Sequence, residues 1–305
     1  MSKFLITIVG PTAIGKTSLA IKLAKNYKTE IISADSRQFY RELNIGTAKP
    51  SKDELSSVKH HLINNISVTD KYDISQFESD ARKIIENLFK TKDYIILVGG
   101  SGLYIDTILY GIDKIPDVED SLRKKLNEEF QNNGLKNLLT QLKKIDPVTY
   151  KNIDLSNHRR IIRALEVSIS SKKPYSSFLT NSVKASNFNE IIIGLNCDRD
   201  KLHSLINKRV DKMIQCGLIE EVEKLEKFKN LNALNTIGYK EIFDYLNNKT
   251  SLEESIEKIK TNSRRYAKRQ LTYFNSNKKI NWFENQYEIK NIIKLIESRS
   301  ELLNN

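Results

Sequence analysis

The stretch GPTAIGKTSLA, Gly10–Ala20, carries the spacing G-x-x-x-x-G-K-[ST] of a phosphate-binding loop. Gly10 and Gly15 let the backbone curl so that several N–H groups point into one concavity. Lys16 adds a mobile positive charge, and the Thr17 hydroxyl suits a Mg²⁺ ion. The flanks agree with this reading. KFLITIV (Lys3–Val9) reads as a short buried strand, and TSLAIKLAKNY (Thr17–Tyr27) has helical spacing at Leu19, Leu23 and Ala24. The loop therefore opens a helix, where unpaired N–H groups and the helix dipole favour anions. A phosphate is implied; which molecule carries it is not.

Outward from this loop, short Ile/Val/Leu-rich runs recur at Glu30–Ala34, Tyr94–Val98 and Glu190–Leu195, separated by helical patterns. Such alternation predicts an α/β protein with a mostly parallel sheet and helices on both faces. INWF (Ile280–Phe283) reads as an edge strand, followed by a terminal helix over Asn285–Leu303. Between Lys114 and Asn189 no strand pattern occurs, and helical segments follow one another over Val118–Asn133, Leu135–Ile145 and Asn157–Ser171. The expected organisation is a core of residues 1–113 and 190–305 with an inserted all-helical domain, 114–189. DKIPDVED (Asp113–Asp120) and SNFNE (Ser186–Glu190) read as its hinges.

The 305 residues carry a net charge of +12, which favours polyanionic partners. Hydrophobic residues make up 39% of the chain, and no apolar stretch reaches the length of a membrane span. FLITIVG runs into the phosphate loop rather than a cleavage site, so it is not read as a signal peptide. Cys197 and Cys216, distant and outside any metal-ligand spacing, fit a reducing cytoplasm. The basic charge is concentrated. From Glu257 to Lys279 there are eight Lys/Arg and one acid. At about 100° per residue, Lys260, Arg264, Arg265, Lys268 and Arg269 fall on one half of a helix, and Ile256, Ile259, Tyr266, Ala267, Tyr273 and Phe274 mainly on the other. One face suits packing on the body and the other a phosphate backbone.

Three further segments carry candidate chemistry. ISADSRQFY (Ile32–Tyr40) places Asp35 at the C-terminal edge of the strand beside the phosphate loop, facing the ligand crevice. Asp35 suits a general base, a water-mediated Mg²⁺ contact, or a plain helix N-cap; Ser36, Arg37 and Gln38 follow with polar donors. LVGGSGLYI (Leu97–Ile105) ends its strand in glycines and Ser101, where many ATP-hydrolysing relatives of this loop carry an acid. DLSNHRRIIRALEV (Asp154–Val167) places Arg159, Arg160 and Arg163 near a helix start, suited to clamping phosphate. KHHL (Lys59–Leu62) offers two histidines without a third ligand at useful spacing. Trp282 and the tyrosines are read as core.

In order, GPTAIGKT, ISADSRQFY, NIGTAKPS, HHL, LVGGSGLY, DPVTYKNID, HRRIIRALEV, IGYKE and AKRQLTYF resemble the tRNA dimethylallyltransferases, also called tRNA isopentenyltransferases, over nearly the whole chain. The resemblance implies a P-loop NTPase-like fold with an inserted helical domain. It also implies transfer of a dimethylallyl group from dimethylallyl diphosphate to N6 of the adenosine 3′ of the anticodon, yielding isopentenyladenosine. By this resemblance Gly10, Pro11, Thr12, Ala13, Ile14, Gly15, Lys16, Thr17 and Arg209 hold the diphosphate, with Thr17 helping to place Mg²⁺. Asp35 is the general base, with Lys16 and Ser101 as further catalytic groups; Ser101 stands where the family commonly has threonine. tRNA contacts are implied at Asp35, Ser36, Arg37, Gln38, Ser101, Arg123, Arg159, Arg160, Ile161, Ile162, Arg163, Thr236, Gly238, Tyr239, Lys240, Lys268, Arg269 and Gln270. The target base must leave its stack, as other base-modifying enzymes require. No Cys/His quartet lies near the end of the sequence, which points to the bacterial type, and a monomer is expected. The alternatives are a P-loop small-molecule kinase, a transferase that prenylates free AMP, and a non-catalytic RNA-associated module. The first two leave the basic C-terminal helix without a task, and the third leaves Lys16 and Asp35 without one.

Overall fold

The computed structural model describes residues 2–180 and 187–304. The chain forms two compact units, Met1–Tyr110 with Ala185–Asn305, and Gly111–Lys184. In the larger unit the chain runs β1 (Phe4–Val9), α1 (Lys16–Asn26), β2 (Ile31–Ser33), α2 (Lys52–Ser57), β3 (His60–His61), α3 (Ile74–Leu88), β4 (Tyr94–Val98) and α4 (Gly102–Tyr110). The smaller unit holds α5 (Asp120–Asn133), α6 (Leu135–Ile145), α7 (Pro147–Asn152) and α8 (His158–Ser171). The larger unit resumes with β5 (Asn189–Asn196), α9 (Arg199–Gln215), α10 (Leu218–Glu223), α11 (Tyr239–Leu246), α12 (Leu252–Asn275), β6 (Asn281–Glu284) and α13 (Ile289–Asn304).

The six strands form one sheet in the order β3-β2-β4-β1-β5-β6, and every pairing is parallel. Strand β1 is central and all six of its residues are buried. Alternate side chains serve opposite layers. Phe4, Ile6 and Ile8 pack with α1, α9 and α13, while Leu5 and Val9 pack with α3 and α4. This two-sided burial is why the strand reads as an unbroken apolar run. A third cluster joins Phe39, Tyr40 and Leu43 to α9, α10, α11 and Ile259 of α12. The architecture is the P-loop NTPase-like parallel sheet flanked by helices, with a helical unit between β4 and β5.

The histidine pair forms the two-residue edge strand β3 against Ile31 and Ile32. His61 Nε2 lies 2.5 Å from Glu30, and His60 Nδ1 lies 2.8 Å from the Val58 carbonyl. In the smaller unit Leu126, Leu138, Leu142, Ile161, Ile162, Ala164 and Leu165 make a separate core. Short α7, unmarked by periodicity, begins at Pro147 and is capped by Asp146, which accepts from Thr149 and Ser176. Ser186 of the second expected hinge lies outside the described residues. Asn189 and Glu190 of that hinge open β5 instead, because their backbone continues the ladder against Phe4 and Leu5.

Candidate active site

The phosphate loop leaves β1 at Val9 and enters α1 at Lys16. Gly15 caps the helix at φ 101°, a left-handed conformation that favours glycine, and Ala13 adopts φ 67° beside it. Asp35 is placed by the neighbouring strand. Ala34 N–H donates to Val98 O at 2.7 Å, so Asp35 is the first residue past the ladder, at the C-terminal edge beside the loop. One carboxylate oxygen caps its own turn by accepting the Arg37 N–H at 2.9 Å. No helix follows Asp35 directly, so it caps a turn rather than a helix N-terminus, and it does so while lining the cleft.

Both segments line one cavity of about 280 Å³. Its walls include Thr12 to Ser18, Ser33, Asp35, Gln38, Gly99, Gly100, Arg209, Tyr266 and Gln270. Burial among protein groups pushes the Lys16 amine down to about 7; the Arg209 charge adds to the shift and Asp35 opposes it. Burial likewise holds the Arg209 guanidinium below its ordinary value, again opposed by Asp35. The ammonium of Lys16 donates to Pro11 O at 2.7 Å, folded back onto its own loop. Two cations crowded into one cleft, each depressed by burial, form a site that an anion relieves.

The remaining expected residues separate into those in the cleft and those elsewhere. Ser101 Oγ accepts the Ser36 N–H at 3.3 Å and donates to the Ser36 Oγ at 3.4 Å. Gln38 ties Ser33 to the carbonyls of Thr47 and Ala48, fixing the wall of the cavity. Arg37 reaches Asn232 O at 3.2 Å. Arg159, Arg160, Lys240, Lys268 and Arg269 are exposed, and Thr236 is half-buried.

Several residues expected to contact nucleic acid have partners within the protein. Ile161 and Ile162 are core residues of the smaller unit, because they occupy the inward face of α8. Tyr239 is fully buried; its ring packs against Gly46 and its hydroxyl donates to Glu221 at 2.6 Å. Gly238 is buried at φ 96°, its N–H held by Glu241. Arg123 and Arg163 both bind Glu166, which has no exposed surface, so these guanidinium groups satisfy a buried charge. On α12, Lys260 pairs with Asp211 and Glu257, and Arg264 binds Asn207, so this end of the basic stripe faces α9. Gln270 is buried rather than presented to solvent.

Sequence reasoning did not single out Ser33, Glu54, His60 or Tyr266 as cleft-lining residues. For Tyr266 the signal was present but ambiguous: it lies on the inward face of α12, and the body it meets there is the cleft. Glu221 carried no signal. Its carboxylate accepts N–H groups from Asn44, Ile45 and Gly46 and thereby holds the NIGTAKP loop against α10. Among the described residues no group of three or more His, Cys, Asp or Glu side chains is arranged to hold a metal, and no helix is long and apolar enough to cross a membrane.

A parallel sheet, a glycine-lysine loop at its C-terminal edge and a carboxylate across the cleft form a P-loop cleft suited to a phosphate-bearing ligand. The model of the family described as IPP transferase matches residues 38–277, well over half of the chain. A tRNA dimethylallyltransferase from Christiangramia forsetii is 50% identical over 299 residues, covering 98% of this chain and 99% of the relative. The crystal structure of the full-length tRNA isopentenylpyrophosphate transferase from Bacillus halodurans superposes with a TM-score of 0.73 at 36% identity, covering all of both chains. A eukaryotic dimethylallyltransferase acting on tRNA superposes at 0.79 with 27% identity, over 93% of this chain and 74% of that one. The chain belongs to the IPP transferase family and is a transferase.

Proposed function

We propose that the protein transfers a dimethylallyl group from dimethylallyl diphosphate to N6 of the adenosine 3′-adjacent to the tRNA anticodon, releasing diphosphate. The observation that carries this reading is the shared cleft: Asp35 and the cations Lys16 and Arg209 line the same cavity as the loop N–H groups. The relatives named for this reaction support it over phosphoryl transfer.

The chemistry follows from what each side must do. An adenine amino group is a weak nucleophile and needs its proton accepted as the new bond forms. The C1–O bond of the allyl diphosphate breaks and the N6–C1 bond forms. The N6 proton passes to the Asp35 carboxylate, and the bonding electrons leave with diphosphate. Lys16, Arg209 and the N–H groups of Ala13 to Thr17 would hold that leaving group, where positive charge is worth most because water is displaced. The Thr17 hydroxyl fits a hard cation that keeps most of its ligands as water and substrate phosphate. Mg²⁺ bound there would supply further charge against the diphosphate.

For the RNA, the exposed cations Lys240, Arg265, Lys268 and Arg269 of the larger unit and Arg159 and Arg160 of the smaller one are our assigned phosphate contacts. The inserted helical unit is read as RNA-binding, the protein as a cytoplasmic monomer. Incubating protein, Mg²⁺, labelled dimethylallyl diphosphate and unmodified tRNA tests the assignment. Label on the adenosine beside the anticodon is expected. Phosphate transfer from ATP without prenylation would replace this reading with that of a kinase.

A further inference from the structure

The resemblance assigns Gln270 to tRNA, yet it is 6% exposed and both ends of its amide are engaged inside the larger unit. Its Oε1 accepts the Thr12 N–H at 2.9 Å, and its Nε2 donates to Gly100 O at 2.8 Å. Thr12 is the shoulder of the phosphate loop, and Gly100 lies in the turn after β4. The next residue, Ser101, accepts the Ser36 N–H beside Asp35. We propose that Gln270 is a positioning residue that sets the spacing between the diphosphate loop and the turn that supports the Asp35 loop.

Three observations carry this. First, the two partners present opposite needs, one donor and one acceptor, and a neutral side-chain amide answers both at once. Second, the approach is tight: a Cβ built on Gly100 would lie 2.2 Å from the Gln270 Nε2 and 3.7 Å from the Lys16 Nζ. The absence of a side chain at residue 100 is what admits the amide. Third, the Thr12 N–H is already committed to Gln270, so the phosphate-gripping N–H groups begin after Thr12. The neighbours Lys268 and Arg269 are exposed, Arg269 lying over the Tyr266 ring at 5.7 Å. Residues 268–270, contiguous in sequence, thus divide between an outer electrostatic face and an inner brace.

The inference rests on the proposed diphosphate site, and its test separates the two. Gln270→Met keeps the bulk and removes both hydrogen bonds. Gln270→Glu keeps the acceptor for Thr12 but sets an oxygen against the Gly100 carbonyl until its carboxyl is protonated. Affinity for inorganic diphosphate with Mg²⁺, affinity for an anticodon stem-loop, and kcat and KM for transfer are measured in each variant alongside thermal stability. Gln270→Met is expected to weaken diphosphate binding about tenfold, the low end of what leaving buried backbone groups unpaired costs, and to raise KM for the allyl diphosphate. RNA affinity and its salt slope stay at the wild-type value. Gln270→Glu is expected to bind diphosphate worse than Gln270→Met near neutral pH. Relative to wild type at each pH, it recovers as the pH falls and the protonated carboxyl can donate to Gly100 O. Gly100→Ala, which displaces the amide from the other side, should reproduce the Gln270→Met pattern if the Met variant does not fold. Unchanged diphosphate affinity with weakened RNA binding would overturn the inference and return Gln270 to the RNA surface. Absence of prenyl transfer by the wild-type protein would instead count against the proposed function, while the diphosphate affinities still judge the brace.

Discussion

Lys16 shows how a single group couples fold, ligand and pH. In the cleft its amine is pushed down to about 7 by burial, with the Arg209 charge adding to the effect. A depressed lysine is a cost on the charged form: the destabilisation is complete below about pH 7 and fades as pH rises toward the ordinary lysine value. Lys16→Met is therefore expected to raise thermal stability at pH 6 while abolishing tight diphosphate binding; an unchanged melting temperature would mean the amine is not strained. An arriving diphosphate reverses the balance, because it favours the ammonium. Titration calorimetry at pH 8 in buffers of different ionisation enthalpy should show more proton uptake for wild type than for Lys16→Met, and the difference should vanish near pH 6. The loop spacing announced this lysine and its anion. Its folded-back contact to Pro11 was not legible, because a spacing motif fixes no side-chain rotamer.

At the scale of elements, α12 and α8 divide labour in ways the helical wheel only partly reveals. On α12, Lys260 and Arg264 are used against α9, leaving Arg265, Lys268 and Arg269 to solvent. Replacing Lys268 and Arg269 together by alanine is expected to weaken stem-loop binding and lower the slope of log affinity against log salt by about 1.5 for single-stranded contacts. Unaltered salt dependence would make that face ordinary surface. On α8, burial pushes the Glu166 carboxyl up, but hydrogen bonds from Arg123 and Arg163 outweigh it and hold the group below its ordinary value. Such a group stabilises the fold above the unfolded carboxyl range, and that contribution is lost as pH falls through the folded value. Arg123→Ala should thus cost about 1–3 kcal/mol of stability, discounted because the guanidinium is half-exposed. It should leave the salt dependence of RNA binding unchanged, as denaturant melts and binding titrations would show. The arginine-rich spelling of HRRIIRALEV suggests a phosphate clamp. Only the position of Glu166 on the inward face of its own helix shows that one of the three arginines is spoken for.

Across the whole molecule, the parts legible in the sequence are those whose signal is local. Strands β1, β4 and β5 announce themselves because burial on both faces demands unbroken apolar runs, and the loop joining β1 to α1 follows from its glycine-lysine spacing. The parts that escaped depend on distant partners. Strand β3 is two residues long and exists only through its ladder to Ile31 and Ile32. The tyrosines read as core, but that Tyr239 is buried through Gly46 and Glu221, from two segments remote in sequence, was not legible. Gln270 faces inward because Thr12 and Gly100 meet it there. The proposed reaction needs the product of such long-range placement, a carboxylate and an anion-gripping loop on one cleft. Single-turnover transfer by Asp35→Asn, with allyl diphosphate and anticodon stem-loop both saturating, tests that requirement most directly. The expected result is a loss of about 10²–10⁴ in rate, the reach of a general base, with both substrates still bound. A rate within a few-fold of wild type would contradict the account.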